Sequence, residues 1–173
     1  MTSEPFVERN ARGRIAEGMD GIENRFMALN SDSRRKEWGV TFTPQWVVDI
    51  MVSALALDQA DDDLIVDVGA GAGRFAFAAA QTLPAAKVIA MERDALLAET
   101  VRGTIKSARL GHRVSVLPAD FLRVDWPAPP GRTIFLGNPP YVRHHSILPE
   151  DKAWLREAGR QLGTPLSGLS GLH

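Results

Sequence analysis

The chain contains no cysteine. That absence removes disulfides, thiolate metal sites and a thiol nucleophile together. No apolar run approaches the roughly 20 residues that a membrane-spanning helix needs, so no membrane partner is expected. The N-terminus, Met1-Thr2-Ser3-Glu4, lacks the apolar core of a secretory signal, and with the missing cysteines this fits a cytoplasmic location. A surplus of positive charge is missing too: 20 Lys and Arg stand against 21 Asp and Glu, a formal net charge of −1. A domain that grips a nucleic-acid backbone unaided ordinarily carries a basic excess. Here positive charge concentrates only at Arg34-Arg35-Lys36 and Arg143-His144-His145, as phosphate contacts or as solvated turns. No carboxylate pair adjoins the two histidines, so no metal site is expected.

What is present describes an ordinary globular chain. Its 173 residues are 45% hydrophobic and 24% charged, enough for one domain with a real core. Ile15, Met19, Ile22, Phe26 and Leu29 recur in steps of three and four, which predicts a helix over about 5–29. Gly13, Gly18 and Gly21 weaken it, so it needs a surface to dock on. A turn at Asn30-Ser31-Asp32-Ser33 follows. Thr43-Pro44 reads as a cap and first helical residue, opening a helix whose buried stripe would be Val47, Ile50, Met51, Ala54 and Leu55. Trp38 and Trp46 flank that start and read as core or rim packing. Asp61-Asp62-Asp63 reads as a solvated connector.

From there strands and helices alternate. Strands are expected at 64–68, 87–91, 113–117 and 133–136. Helices are expected at about 74–83, at 95–108 with Asp94 as cap and Leu97, Val101, Ile105 and Ala108 as its buried face, and from Pro149 to Gly163 with Trp154 in the core. Such alternation predicts an α/β fold with a mainly parallel sheet and helices on both faces. The expected division is an N-terminal helical segment, 1–37, and an α/β domain, 38–173.

Two loops carry chemistry. Asp67-Val68-Gly69-Ala70-Gly71-Ala72-Gly73 follows the first strand directly and opens a helix. Glycines there let the backbone turn tightly and approach a ligand closely. Glu92 ends the next strand, where a carboxylate can accept from both ribose hydroxyls. A phosphate loop is excluded by the missing Gly-Lys-Ser/Thr. A dinucleotide fits less well, because the spacing is G-x-G-x-G. Asp67, ahead of the glycines, suits a ligand with a cationic amino group, which favours S-adenosylmethionine; a βα turn that is glycine-rich for packing alone is the plain alternative. The second loop, Gly137-Asn138-Pro139-Pro140-Tyr141, follows the fourth strand. Two prolines stiffen it and remove two N–H donors. The Asn138 carboxamide oxygen and a proline carbonyl are acceptors for the two N–H groups of an exocyclic amine, and Tyr141 offers a flat face to an extruded base. The amine would attack a sulfonium methyl directly. The missing cysteine also argues against carbon-5 cytosine methylation, which requires a covalent thiolate.

Gly39-Val-Thr-Phe-Thr-Pro-Gln-Trp-Val-Val-Asp-Ile-Met-Val52, the glycine loop, Glu92, Ala119-Asp-Phe121 and Gly137-Asn-Pro-Pro-Tyr-Val-Arg143, in this order, resemble the gamma class of adenine N6 DNA methyltransferases of restriction–modification systems. The resemblance covers roughly residues 35–145. It implies a Rossmann-like, S-adenosylmethionine-dependent methyltransferase fold, incomplete at the C-terminus, without a metal. It implies that Phe42, Thr43 and Pro44 contact the methionine end of the cofactor and that Asp67, Gly69 and Gly71 lie beneath it. Glu92 would hold the ribose, and Asp120 and Phe121 the adenine. Asn138, Pro139 and Tyr141 would bind the target amine and stack on the flipped base, with Pro140 and Arg143 beside the substrate. The implied partner is double-stranded DNA with a flipped adenine. The family's further strands and target-recognition domain would come from a C-terminal region beyond these residues or from a second chain. Methylation of an RNA adenine or a protein glutamine side chain is the alternative activity. An inactive, cofactor-binding subunit completed by another chain is the alternative of a different class.

Overall fold

A computed structural model describes residues 4–31, 41–58, 63–124, 131–139, 141 and 147–164. These fall in two compact units, one of residues 1–28 and 42–138, the other of 29–41 and 139–173.

The first unit is built on four strands, β1 (Leu64–Val68), β2 (Lys87–Met91), β3 (Val114–Leu117) and β4 (Thr133–Leu136). All pair in parallel, in the order β3-β2-β1-β4. The chain steps outward from β1 to β2 to β3, then returns to the far side of β1 for β4. That reversal is a switch point, where ligands of open α/β sheets bind beyond the carboxyl ends of the strands. The central strand reads Leu-Ile-Val-Asp-Val with its middle three residues buried, the continuous apolar run of a strand covered on both faces.

Helices α1 (Glu4–Leu29), α2 (Gln45–Leu55), α3 (Arg74–Thr82) and α4 (Ala95–Ser107) accompany the sheet. In α3 every residue from Arg74 to Ala80 is buried, and its small alanines allow close packing in the core with Ile65, Val88 and Val101. Asp94 caps α4 as expected, accepting from the Leu96 and Leu97 N–H groups at 3.0 and 2.9 Å. Leu97, Val101 and Ile105 form the buried face, with Ala108 packed against the core.

Of the expected stripe of α1, Met19 and Phe26 are buried and Ile22 packs on the core, Leu29 is exposed, and the side chain of Ile15 lies outside the described residues. In α2 the stripe sits elsewhere than expected. Val48 and Val52 are buried and Leu55 packs beside them, while Ile50 and Met51 face out and Trp46 is exposed. The start of the helix differs as well. Pro44 occupies the capping position itself and no side chain caps α2, so the helix begins at Gln45 and Thr43 is not the cap. Asp63 is a second correction. It is buried rather than solvated, because Arg132 grips it through Nε at 2.9 Å and Nη2 at 2.8 Å. This pair joins the residues that enter β1 and β4.

In the second unit, α5 (Pro149–Gln161) starts with proline in its first turn and stops where Gly163 takes φ +69°. Trp154, expected in the core, is exposed. Trp38, Arg34, Arg35, Lys36, His144 and His145 lie outside the described residues, as do the Pro127–Pro130 loop and Asp61 and Asp62. Among the described residues no helix is long and apolar enough to cross a membrane.

Candidate functional site

Each strand of the first unit delivers one sequence-predicted group at or just beyond its carboxyl end, Asp67 from within the last two residues of β1. The glycine loop follows β1, Glu92 follows β2, Asp120 follows β3 and Asn138 follows β4.

Asp67 is almost fully enclosed, at 1% exposure. Its Oδ2 accepts from the Ala76 N–H at 3.0 Å, which ties the strand to the first turn of α3. Burial pushes its carboxyl up to about 7; the Ala76 N–H opposes that shift, and the nearby Glu92 carboxyl adds to it. Gly137 packs against the same carboxylate. A Cβ there would stand 3.2 Å from Asp67 Oδ1 and 3.1 Å from the Val68 carbonyl oxygen, tighter than ordinary contact, so glycine eases the close approach of β4 to β1.

The loop itself turns through Gly69, Gly71 and Gly73, with φ values of +68°, +56° and +86°. Gly71 is constrained twice over. Its N–H donates to Glu92 Oε2 at 2.8 Å, and a Cβ would meet the Phe42 ring at 3.2 Å. The other oxygen of Glu92 accepts from the Asp94 N–H at 2.8 Å. Burial raises the Glu92 pKa, and these two N–H donors oppose the shift. A carboxylate has about four lone-pair positions. Glu92 therefore keeps acceptor capacity for a diol while holding the loop.

Phe42, Thr43 and Pro44 come to this edge from the start of α2. Phe42 meets the Phe26 ring edge-on at 5.8 Å between centroids, so α1 backs the ring that backs Gly71. The Pro44 carbonyl accepts from the Val47 and Val48 N–H groups at 3.0 and 3.3 Å. Thr43 Oγ1 accepts from Asn138 Nδ2 at 3.1 Å, across 95 residues of sequence. Asp120 Oδ1 accepts from the Leu122 N–H at 3.1 Å and starts a short helical turn, which leaves Phe121 partly exposed. Phe121 meets Phe135 of β4 edge-on at 5.9 Å.

Phe42, Thr43, Pro44, Asp67, Gly69, Gly71, Glu92, Asp120, Phe121 and Asn138 thus share one edge of the first unit. Pro139 and Tyr141 belong to the second unit, both exposed. Pro140 and Arg143 lie outside the described residues.

Sequence reasoning missed the support behind the loop. Arg74, the first residue of α3, is buried among Glu23, Asp20 and Gln45. It donates to Glu23 Oε2 at 2.8 Å and to Gln45 Oε1 at 3.1 Å, and pairs with Asp20 as well. Glu23 is the leading cause of its raised pKa. A lone arginine opening an otherwise apolar helix was the available signal.

The residues present fit S-adenosylmethionine. The glycine turn runs through three left-handed residues with bare backbone, a buried carboxylate lies ahead of it, and an acid follows β2 where a ribose would lie. Among the described residues no group of three or more His, Cys, Asp or Glu side chains could hold a metal.

No family model matches the chain. It is 40% identical over 135 residues to the type II methyltransferase M.XamI of Xanthomonas campestris pv. amaranthicola, a match covering 78% of this chain and 25% of that protein. It is 33% identical over 126 residues to ribosomal RNA small subunit methyltransferase A of Anaeromyxobacter dehalogenans, covering 66% of this chain and 42% of the relative. It is 31% identical over 93 residues to the release factor glutamine methyltransferase of Chlorobaculum tepidum, covering 53% and 32%. The chain thus spans a quarter to less than half the length of these relatives. By its sheet order, its glycine loop and its 40% identity to the first of these relatives, the chain belongs with the Rossmann-like methyltransferases.

Proposed function

We propose that this chain is the cofactor-binding and catalytic part of a methyltransferase that acts on the exocyclic amine of adenine in DNA. The observation that carries the reading is the placement of Asn138. Its backbone follows a glycine pressed onto Asp67, and its side-chain amide is held by Thr43 of the segment that also backs the glycine loop. One rigid cluster therefore joins the group suited to an amine with the loop suited to S-adenosylmethionine.

When bound, S-adenosylmethionine supplies an electrophilic methyl on a sulfonium. The chain's own residues would do the rest. Glu92 holds the ribose hydroxyls while its N–H partners keep the loop shaped. Asp67, at the foot of that loop, favours a ligand carrying a cationic amine. Phe121 and Phe135 offer apolar faces to a base. Asn138 Oδ1 accepts an N–H of the target amine, with the Pro139 carbonyl as second acceptor. Two such bonds draw the nitrogen toward tetrahedral geometry and free its lone pair for attack, an effect of orientation and charge placement rather than of acid–base exchange. Tyr141 would stack on the flipped base, with Pro140 and Arg143 beside it.

A second reading has its own support: the ribosomal RNA and glutamine methyltransferase relatives. A planar amide or an RNA adenine presents the same N–H pair to Asn138. Methyl transfer from labelled cofactor to duplex DNA, RNA and protein, measured side by side, decides between them. DNA labelling at adenine N6 is the expected outcome, and labelling of RNA or protein alone would transfer the proposal to the second reading. Asn138→Ala is expected to lower the transfer rate at least 100-fold, roughly the loss of one oriented polar contact to the reacting centre. Affinity for S-adenosylhomocysteine in calorimetry should change little.

A further inference from the structure

We infer that Thr43 is a positioning residue for Asn138: its hydroxyl sets which way round the carboxamide stands, so that oxygen rather than nitrogen meets the target amine. The inference deepens the function proposed above and rests on it.

The two ends of an asparagine amide are nearly the same size, so a flip about its last bond changes chemistry but hardly changes shape. For an amine substrate the difference is decisive. With Oδ1 toward the amine, an acceptor meets a donor. With Nδ2 toward it, two donors face each other. Nothing in the stiffness of an Asn-Pro-Pro turn distinguishes these states, because proline restrains backbone and not the amide of the preceding side chain.

Three observations converge on Thr43. Asn138 Nδ2 donates to Thr43 Oγ1 at 3.1 Å, which turns Oδ1 away from the hydroxyl. That hydroxyl is also diverted from its ordinary task. A threonine ahead of a helix commonly caps it, yet Pro44 holds the capping position and α2 has no side-chain cap. Finally, both ends of the bond stand on rigid backbone. The Pro44 carbonyl is fixed by the Val47 and Val48 N–H groups, and Gly137 abuts β1 so closely that a Cβ would stand 3.1 Å from the Val68 carbonyl oxygen. A hydroxyl can donate as well as accept. With an amine occupying Oδ1, however, the amide nitrogen needs acceptors for its own N–H groups, and Thr43 Oγ1 supplies one. The flipped state leaves N–H against N–H.

The test uses the full chain and two measurements. In the first, the Asn138 side-chain NH2 resonances are assigned by their loss in Asn138→Asp. Thr43→Val, which keeps the shape and removes the acceptor, is expected to move them toward free-amide positions, and Thr43→Ser to restore them. Unmoved resonances in Thr43→Val would overturn the inference. In the second, single-turnover methyl transfer to an adenine-containing duplex is followed at saturating cofactor. Loss of one neutral hydrogen bond corresponds to a roughly tenfold lower rate constant in Thr43→Val, with recovery in Thr43→Ser. A reduced cofactor affinity with an unchanged saturated rate would make Thr43 a cofactor contact alone and would also overturn it. If the native chain transfers no methyl group while the resonances respond as expected, the proposed activity fails for this chain and the orientation of Asn138 stands.

Discussion

At the scale of single residues, the site is organised around carboxylates placed where charge is costly. Asp67 is the clearest case. It keeps its proton in the folded chain up to about pH 7, against 3.8 for an ordinary aspartate. Between those values the folded state binds more protons than the unfolded one, so stability falls as pH rises through this window. The loss begins near pH 4, is complete above pH 7 and is on the order of a few kcal/mol. Asp67→Asn should flatten that part of the curve, which urea titrations at pH 5 and pH 8 would show. The same charge serves the proposed ligand. A cationic amine favours the ionised carboxylate, so affinity for S-adenosylhomocysteine should rise from pH 6 to pH 8 in the native chain and stay flat in Asp67→Asn. Much of this was legible in sequence, since Asp67, the glycines and Glu92 stand at fixed offsets from strands. What was not legible is who holds whom. No local pattern joins Asn138 to Thr43 or Gly71 to Glu92, because those contacts are made by the sheet order.

At the scale of elements, the four strands were read almost to the residue, because a buried parallel strand announces itself as a short β-branched run between turn signals. The helices were read less well where burial depends on a partner. The apolar residues of α2 surround most of its circumference, so periodicity alone could not choose between the Val48–Val52 face and the Ile50–Met51 face. In α1 the question was whether a helix with three glycines holds. It does, because Met19 and Phe26 are buried and Glu23 and Asp20 engage Arg74. Gly18 and Gly21 contribute nothing to that docking: a Cβ at either meets no atom within 4 Å. Gly18→Ala and Gly21→Ala should each stabilise the chain by about 0.5–1 kcal/mol in chemical denaturation. Phe26→Ala should do the reverse and more, by roughly 3 kcal/mol. It also removes the ring behind Phe42 and Gly71, so S-adenosylhomocysteine should bind more weakly to the variant at a temperature where it is fully folded. Unchanged affinity would separate α1 from the glycine loop.

At the scale of the whole first unit, the two ends of the sheet do different work. The carboxyl ends hold the left-handed glycines, two buried carboxylates and the Thr43–Asn138 bond. The amino ends hold the Asp63–Arg132 ion pair, which clasps the entries to β1 and β4 as Leu64 N donates to the Arg132 carbonyl at 2.9 Å. Only the first set lies at the end of the sheet where the ligand is proposed to bind. Asp63→Asn leaves a buried polar group and a partly exposed guanidinium without their bidentate match, a loss of about 2 kcal/mol once the exposure of Arg132 is allowed for. For a chain of this length that lowers the melting temperature by roughly 4–8 °C. Affinity for S-adenosylhomocysteine, measured well below the transition, should not change. Asp67→Asn should give the opposite pair of results at pH 8, a more stable chain that binds the ligand less well, because a buried charge is removed from the end of the sheet that uses it. Calorimetry and thermal melts on the two variants therefore test one claim from both sides. Loss of binding in Asp63→Asn, or intact binding in a stabilised Asp67→Asn, would show that stability and ligand recognition are not divided between the two ends of the sheet.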